Sequence, residues 1–348
     1  MDCIRWGIVG CGDVTEVKSG PGMCEADRSS VVAVMRRTGH LAEDYARRHK
    51  VPRWYDDADK LINDSEVDAV YVATPPGSHL EYGLRACRAG KPAYVEKPMA
   101  RNHQECREMV DAFRAADVDL FVAYYRRALP RFLKAKELIN SGELGVITAV
   151  RYRFDEPIPR ELDPKNLPWR LSAAESGGGL FFDLGSHALD IIDFLLGPLV
   201  DIGGIAANRA HGYDVEDSVA MHFGTACGAV GVASWNFASP VSRDRIQILG
   251  TKGRVTLSVF GNEPVSWEQN ENRQLFDLSN PKHIQQPMIQ TVVDSLLGRG
   301  RCDSTGESAA RTARVMDAVV ENYYGSRGNG FWDDPRSWPG RKGWSLAP

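Results

Sequence analysis

The segment Ile4-Arg5-Trp6-Gly7-Ile8-Val9-Gly10-Cys11-Gly12 begins with an apolar run and ends in two glycines one residue apart. A strand buried on both faces needs such a run. A Gly-x-Gly turn directly after it lets backbone approach a pyrophosphate next to helix N–H groups. An ordinary tight turn would look the same, so the surrounding sequence has to decide. Val31–Met35 reads as a second strand and Leu41–His49 as a helix. Asp56 and Asp57 suit the cap of a short helix through Ile62. Asp68–Ala73 reads as a central strand that stops at Thr74-Pro75-Pro76-Gly77, followed by a helix over Ser78–Ala89 that ends at Gly90. Pro92–Val95 and Leu120–Ala123 are further strands, separated by a helix that Asn102 and Glu105 would cap, reaching Asp117. This alternation predicts right-handed crossovers and a doubly wound parallel sheet, a Rossmann domain over residues 1–125. In that context the glycine turn reads as a dinucleotide site. Thr15 stands where the fingerprint has its third small residue, and Gly20-Pro21-Gly22 is expected to break the following helix.

A chain of 348 residues is long for one core, so a second domain is expected. After a helix from Arg131 to Asn140, strand patterns recur at Val146–Phe154, Val219–Phe223, Ala229–Phe237, Arg245–Leu249 and Arg254–Ser258. They predict an α+β domain over 126–328 with a mostly antiparallel open sheet, one face covered by a helix starting at Asp183. Residues 329–348 form a Trp-rich tail. A net charge of -4 with no basic stripe argues against a nucleic-acid partner. No apolar stretch approaches the roughly 20 residues of a membrane span. Met1–Arg5 leads straight into a strand, and the seven cysteines include no CxxC pair. The expectation is a soluble cytoplasmic protein with no membrane partner and no metal.

Ligands of an open α/β sheet collect beyond the carboxyl ends of its strands. Thr74–His79 and Glu96–Pro98 follow such ends and are expected to converge on a nicotinamide, with Lys97 offering a cationic donor to a substrate oxygen. Asp183 and His187 lie four residues apart, about 40° around a helix axis. Leu184, Ala188, Ile191, Ile192 and Leu195 would form the opposite, core-facing stripe. A histidine beside a carboxylate can take up a proton; a helix cap next to a solvated histidine fits the same pattern equally well. The preceding Gly177-Gly178-Gly179 would let backbone approach a ligand closely. A 2′-hydroxyl calls for an acidic residue after the second strand, whereas a 2′-phosphate calls for arginine. Met35-Arg36-Arg37-Thr38, with no carboxylate before Glu43, favours NADP(H). NAD is the alternative, since either arginine would also stack on adenine.

Three blocks in order carry a family resemblance. Thr74-Pro75-Pro76-Gly77-Ser78-His79 with Gly90-Lys91-Pro92-Ala93-Tyr94-Val95-Glu96-Lys97-Pro98 is the first, and Gly177 to His187 (GGGLFFDLGSH) is the second. The third is Gly306-Glu307-Ser308-Ala309-Ala310-Arg311. Over residues 3–325 the chain resembles the glucose–fructose oxidoreductase / inositol dehydrogenase / MocA (Gfo/Idh/MocA) family. The resemblance implies Lys97, Asp183 and His187 as catalytic residues and a cis Lys97–Pro98 peptide. With the strand-end reading, it implies cofactor contacts from Gly10, Gly12, Asp13, Val14, Arg36, Arg37, Thr74, Pro75, His79, Glu96 and Lys97. Tyr125, Arg127, Trp169, Arg170 and Asp183 would bind a sugar-like small molecule, and the chain would form a homodimer or homotetramer. The implied activity is an NAD(P)-dependent dehydrogenase or reductase acting on a hydroxyl or carbonyl of a sugar, polyol or sugar acid. A nicotinamide-assisted hydrolase or lyase acting on a glycoside and a non-catalytic cofactor sensor are the competing classes.

Overall fold

The computed structural model describes residues 2–157, 163, 166–210, 212–328 and 330–341. The chain divides into two compact units. The first comprises Met1–Ala100, Gln104–Leu129 and Asn280–Ala310; the second comprises Arg101–His103, Pro130–Ser279 and Arg311–Pro348. These limits differ from boundaries at 125/126 and 328/329, because residues 280–310 return to the first unit. The reason is packing. Helix Gln286–Leu296 buries Met288, Ile289, Val292 and Val293 and lies against helix Ser19–Glu25. At Gly22 a Cβ would stand only 3.1 Å from Ile289 Cδ1, so the absent side chain admits the returning helix.

The first unit is a six-stranded parallel sheet. Its strands are β1 (Ile4–Val9), β2 (Ser29–Met35), β3 (Arg53–Tyr55), β4 (Ala69–Val72), β5 (Ala93–Val95) and β6 (Leu120–Val122), in the order β3-β2-β1-β4-β5-β6. This is the doubly wound order, with its switch between β1 and β4. Only the three-residue edge strand β3 has no counterpart in the sequence reading. Trp6, Tyr71 and Tyr94 are fully buried at the sheet centre, Tyr71 stacked on Tyr94 at 5.3 Å. The helix after β1 breaks at Lys18, between Asp13–Val17 and Ser19–Glu25, and not at Gly20-Pro21-Gly22. Pro21 falls in the first turn of the second segment, where an amide hydrogen would have no intrahelical partner anyway.

The second unit carries an eight-stranded sheet. Its strands are β7 (Ile147–Asp155), β8 (Leu199–Ala207), β9 (Ser218–Thr225), β10 (Val230–Asn236), β11 (Arg243–Gly250), β12 (Arg254–Leu257), β13 (Val265–Gln269) and β14 (Asn272–Phe276). The order is β14-β13-β12-β11-β7-β10-β9-β8, antiparallel throughout except for the central β7–β10 pair. One face buries Val150, Tyr152, Phe154 and Trp235, with Phe181 in edge contact with Trp235 at 4.9 Å. Sequestering a ring of that size stabilises the fold by roughly 1.5–3 kcal/mol. On the opposite face Ile205, Val230 and Val232 are exposed. Among the described residues, no helix is long and apolar enough to cross a membrane.

Candidate active site

The turn after β1 has the geometry of a dinucleotide cradle. Gly10 adopts φ +93°, and a Cβ there would stand 2.6 Å from Thr74 Cγ2, so the turn and the end of β4 approach as only glycine permits. On the other side, a Cβ at Gly12 would meet nothing nearer than the Gly10 carbonyl oxygen at 4.0 Å, which leaves that backbone open to a ligand. Thr15 closes the turn: its hydroxyl accepts from Gly12 N at 2.9 Å and donates to Gly12 O at 2.7 Å. The departure from the glycine fingerprint therefore has a local structural role. Asp13 and Val14 open the helix and bring its first amide groups to the turn. Gly10 N and Cys11 N both donate to Met35 O, drawing the turn to the end of β2, where Arg36 and Arg37 are exposed. This open, cation-flanked turn fits a nicotinamide dinucleotide.

Thr74, Pro75, Glu96 and Lys97 do lie at the ends of β4 and β5, and the Lys97–Pro98 peptide is cis. Two residues expected to touch the cofactor are occupied otherwise. His79 is fully buried, with Nε2 2.6 Å from Thr74 O and Nδ1 3.0 Å from Pro98 O. Burial lowers its pKa against the pull of those carbonyl groups. The ring pins the β4 loop to the β5 loop and presents no free edge. Glu96 is also buried: it accepts from Tyr71 Oη at 2.6 Å, Gln285 Nε2 at 3.0 Å and its neighbour Lys97 N at 3.1 Å. It thereby fixes the backbone that carries Lys97. Gln285, from the returning segment, had no sequence signal.

In the second unit, Phe181–Gly185 is a π turn that runs into helix Ser186–Leu196, so Asp183 does not begin a regular α-helix. Single π turns often mark functional positions because the extra residue disrupts the i→i+4 ladder. Here the Ser186 hydroxyl donates to Asp183 O at 3.1 Å. The helix is not two-faced as expected, since Ser186, His187, Asp190 and Asp193 are buried as well. Arg311 satisfies Asp193 through two bonds of 2.9 and 2.6 Å. Asp183 is 9% exposed and accepts from Arg170 Nε at 2.8 Å. His187 is 3% exposed and meets Phe260 edge-on at 5.8 Å. Arg170, half exposed, also lies over the Trp169 ring at 4.3 Å. Thus Trp169, Arg170 and Asp183 form one connected group, and buried His187 follows Asp183 by four residues along the chain.

One expectation needs correction. The triple glycine is packed by protein and does not serve as a ligand approach. Cβ atoms at Gly177, Gly178 and Gly179 would stand 2.3 Å from Arg101 O, 2.2 Å from the Phe182 ring and 2.2 Å from Glu216 O. Tyr125 and Arg127 lie in the first unit and are nearly enclosed there, Arg127 donating to Asp303 O at 2.9 Å. That bond gives Arg127 a structural role within its own unit.

With this geometry in place, comparison with known proteins decides the family. A model of the oxidoreductase family with an NAD-binding Rossmann fold matches residues 4–124. A GFO/IDH/MocA C-terminal domain model matches residues 132–256. Oxidoreductase P35 of Formosa agariphila is 36% identical over 317 residues, covering 90% of this chain and 97% of the relative. The chain belongs to the Gfo/Idh/MocA oxidoreductase family. Another family relative, 1,5-anhydro-D-fructose reductase of Ensifer adhaerens, is 27% identical, covering 91% of this chain and 95% of the relative. The crystal structure of aldose-aldose oxidoreductase from Caulobacter crescentus, complexed with glycerol, superposes with TM-score 0.81 at 25% identity. That match covers 91% of this chain and 96% of the other.

Proposed function

We propose that this oxidoreductase interconverts a hydroxyl and a carbonyl on a sugar, polyol or sugar acid, with Lys97, Asp183 and His187 as its catalytic residues. The observation that carries the reading is the grouping of Arg170, Asp183 and His187 on and around the π turn. A carboxylate held by a guanidinium, with a buried imidazole four residues on, supplies the groups for acid–base chemistry. Bound nicotinamide supplies the carbon that accepts or gives the hydride. His187 takes the hydroxyl proton during oxidation and returns it during reduction. Asp183, fixed by Arg170, orients the imidazole or accepts from a neighbouring substrate hydroxyl. Lys97 donates to the reacting oxygen and stabilises the developing alkoxide. The stacked Trp169–Arg170 pair offers an aromatic and cationic surface suited to a polyol. The printed activities of the anhydrofructose reductase and the aldose-aldose oxidoreductase favour the same substrate class.

Arg36 and Arg37 favour NADP(H), with the 2′-phosphate at the end of β2; NAD is the competing cofactor. The exposed apolar Ile205, Val230 and Val232 support pairing of the open sheet face in a homodimer or homotetramer. The seven free cysteines suit a cytoplasmic enzyme. The test is a screen of sugars, polyols and sugar acids, including 1,5-anhydro-D-fructose, against both cofactors, read at the reduced-cofactor absorbance. Net reduction or oxidation of cofactor is expected with at least one sugar-like compound. Glycoside cleavage without net cofactor change would overturn the reading in favour of a nicotinamide-assisted hydrolase or lyase.

A further inference from the structure

The C-terminal segment lies beyond both matched family models, yet it meets the turn that leads to Asp183. Arg327 is the centre of the contact. Its side chain is 2% exposed. Nη2 donates to Arg101 O at 2.7 Å and also to Gly177 O, while Nη1 pairs with Asp317. The guanidinium carbon lies 4.0 Å from the ring centre of Phe182 and 4.6 Å from that of Phe331. Phe182 is the residue before Asp183. Asn102 donates to Arg327 O at 2.8 Å, so backbone and side chain are both held.

A second tie runs parallel to the first. The Tyr324 hydroxyl donates to Glu216, and Glu216 accepts from Gly179 N at 2.8 and 3.0 Å. Trp338 covers both ties: it is 1% exposed, meets Tyr324 edge-on at 4.6 Å and donates from Nε1 to Phe331 O at 2.7 Å. Trp332 stacks on Arg101 at 3.4 Å from the other end of the same carbonyl-bearing segment. The two anchors, at Gly177 and Gly179, bracket the triple glycine, whose missing side chains admit these partners.

We propose that Arg327, backed by Phe331 and Trp338, is a positioning element of the active site that fixes the Gly177–Asp183 turn and hence the carboxylate and imidazole that follow. The inference rests on the assignment of Asp183 and His187 as catalytic residues. Buried guanidinium bonds to backbone carbonyl groups are stronger than neutral ones and set an angle as well as a distance. Arg327→Lys keeps the charge and loses the fork. Trp338→Leu leaves Arg327 intact and removes the ring that packs on Tyr324 and holds the Phe331 carbonyl.

The test is hydrogen exchange on the full-length protein, read by peptide, with steady-state kinetics on the best substrate of the screen. In Arg327→Lys, amides between 177 and 187 are expected to exchange roughly tenfold faster, while peptides from β7 and β10 are unchanged. Turnover is expected to fall at least about tenfold, since small displacements of catalytic groups have such effects, with cofactor affinity unaltered. Trp338→Leu is expected to show the same pattern more weakly. Unchanged exchange between 177 and 187 in both folded variants would overturn the proposal, as would acceleration spread uniformly over the second unit. Failure of the catalytic assignment looks different: His187→Asn would then keep full turnover while the exchange response to Arg327→Lys persisted.

Discussion

Glu216 gives a prediction whose size follows from the structure. Its carboxyl is fully buried beneath the triple glycine, and removal from water raises its pKa from 4.5 to about 7. The Tyr324 hydroxyl, the Gly179 amide and the Arg327 charge oppose that rise without cancelling it. Tyr213 and Tyr323 also feel its charge. A carboxyl whose pKa is raised on folding stabilises the native state fully below its unfolded value, and that stability is lost as pH climbs through the folded value. Between 4.5 and about 7 the unfolded chain has released this proton and the folded chain still holds it. At about 1.36 kcal/mol per pH unit, the loss across the window is about 3 kcal/mol. Glu216→Gln keeps the shape, has no charge to bury and removes this dependence. Urea unfolding of both proteins at about pH 5, 6, 7 and 8.5 measures it, because any constant effect of the amide cancels between pH values. The stability of the variant relative to the parent is expected to improve by about 2.5 kcal/mol from the acid to the alkaline end of that series. A difference that stays flat would refute the reasoning, and a difference that moves the other way would show that its hydrogen bonds prevail over burial.

His187→Ala and Lys97→Ala are each expected to lose roughly 10²–10⁴ in turnover with little change in cofactor titration; near-normal rates would remove that residue from the chemistry. Arg37→Asp is expected to weaken NADP(H) by about 1.5–3 kcal/mol, the range of a hydrogen bond to a charged group, and to spare NAD(H), as fluorescence titration of both cofactors will show. Gly179→Ala would set a methyl 2.2 Å from Glu216 O. Overpacking of this kind is expected to destabilise the second unit by about 1–3 kcal/mol in a thermal melt, and an unshifted transition would contradict the packing reading of the motif.

The first sheet was legible because its signal is local. Ile4–Val9, Ala69–Val72 and Ala93–Val95 are mostly apolar runs with a glycine or proline within three residues of their ends, and their alternation with helices predicts one topology. The second sheet was legible where strands alternate, as in β9 with its buried Val219, Met221 and Phe223. It failed where residue type argues against a strand. β8 contains Gly203-Gly204, and the β14 residues Asn272, Arg273 and Gln274 are exposed and polar. There, pairing with a neighbour prevails over weak propensity.

The site divides along the same line, and the division explains which residues were misplaced. A motif shows that a residue stands at a strand end or on a helix; it does not show which other atoms have reached that residue first. His79 stands where a cofactor ligand is expected, but its two ring nitrogens already face the carbonyl oxygens of Thr74 and Pro98. The triple glycine reads as space for a ligand, but its three missing side chains admit Arg101, Phe182 and Glu216. Arg127 reads as a hand for substrate, and the Asp303 carbonyl gives it a structural partner as well. In most of these cases the decisive partner is backbone, or a side chain distant in sequence, with no periodicity to announce it. The same holds for residues the sequence reading missed. Gln285 reaches Glu96 across 189 positions, and Tyr324 reaches Glu216 across 108. Such groups become visible only when burial and hydrogen bonding are counted together, because a buried polar atom must find a partner wherever the chain supplies one. Arg36 and Arg37, by contrast, stay exposed at the end of β2, where both the motif and the surface agree.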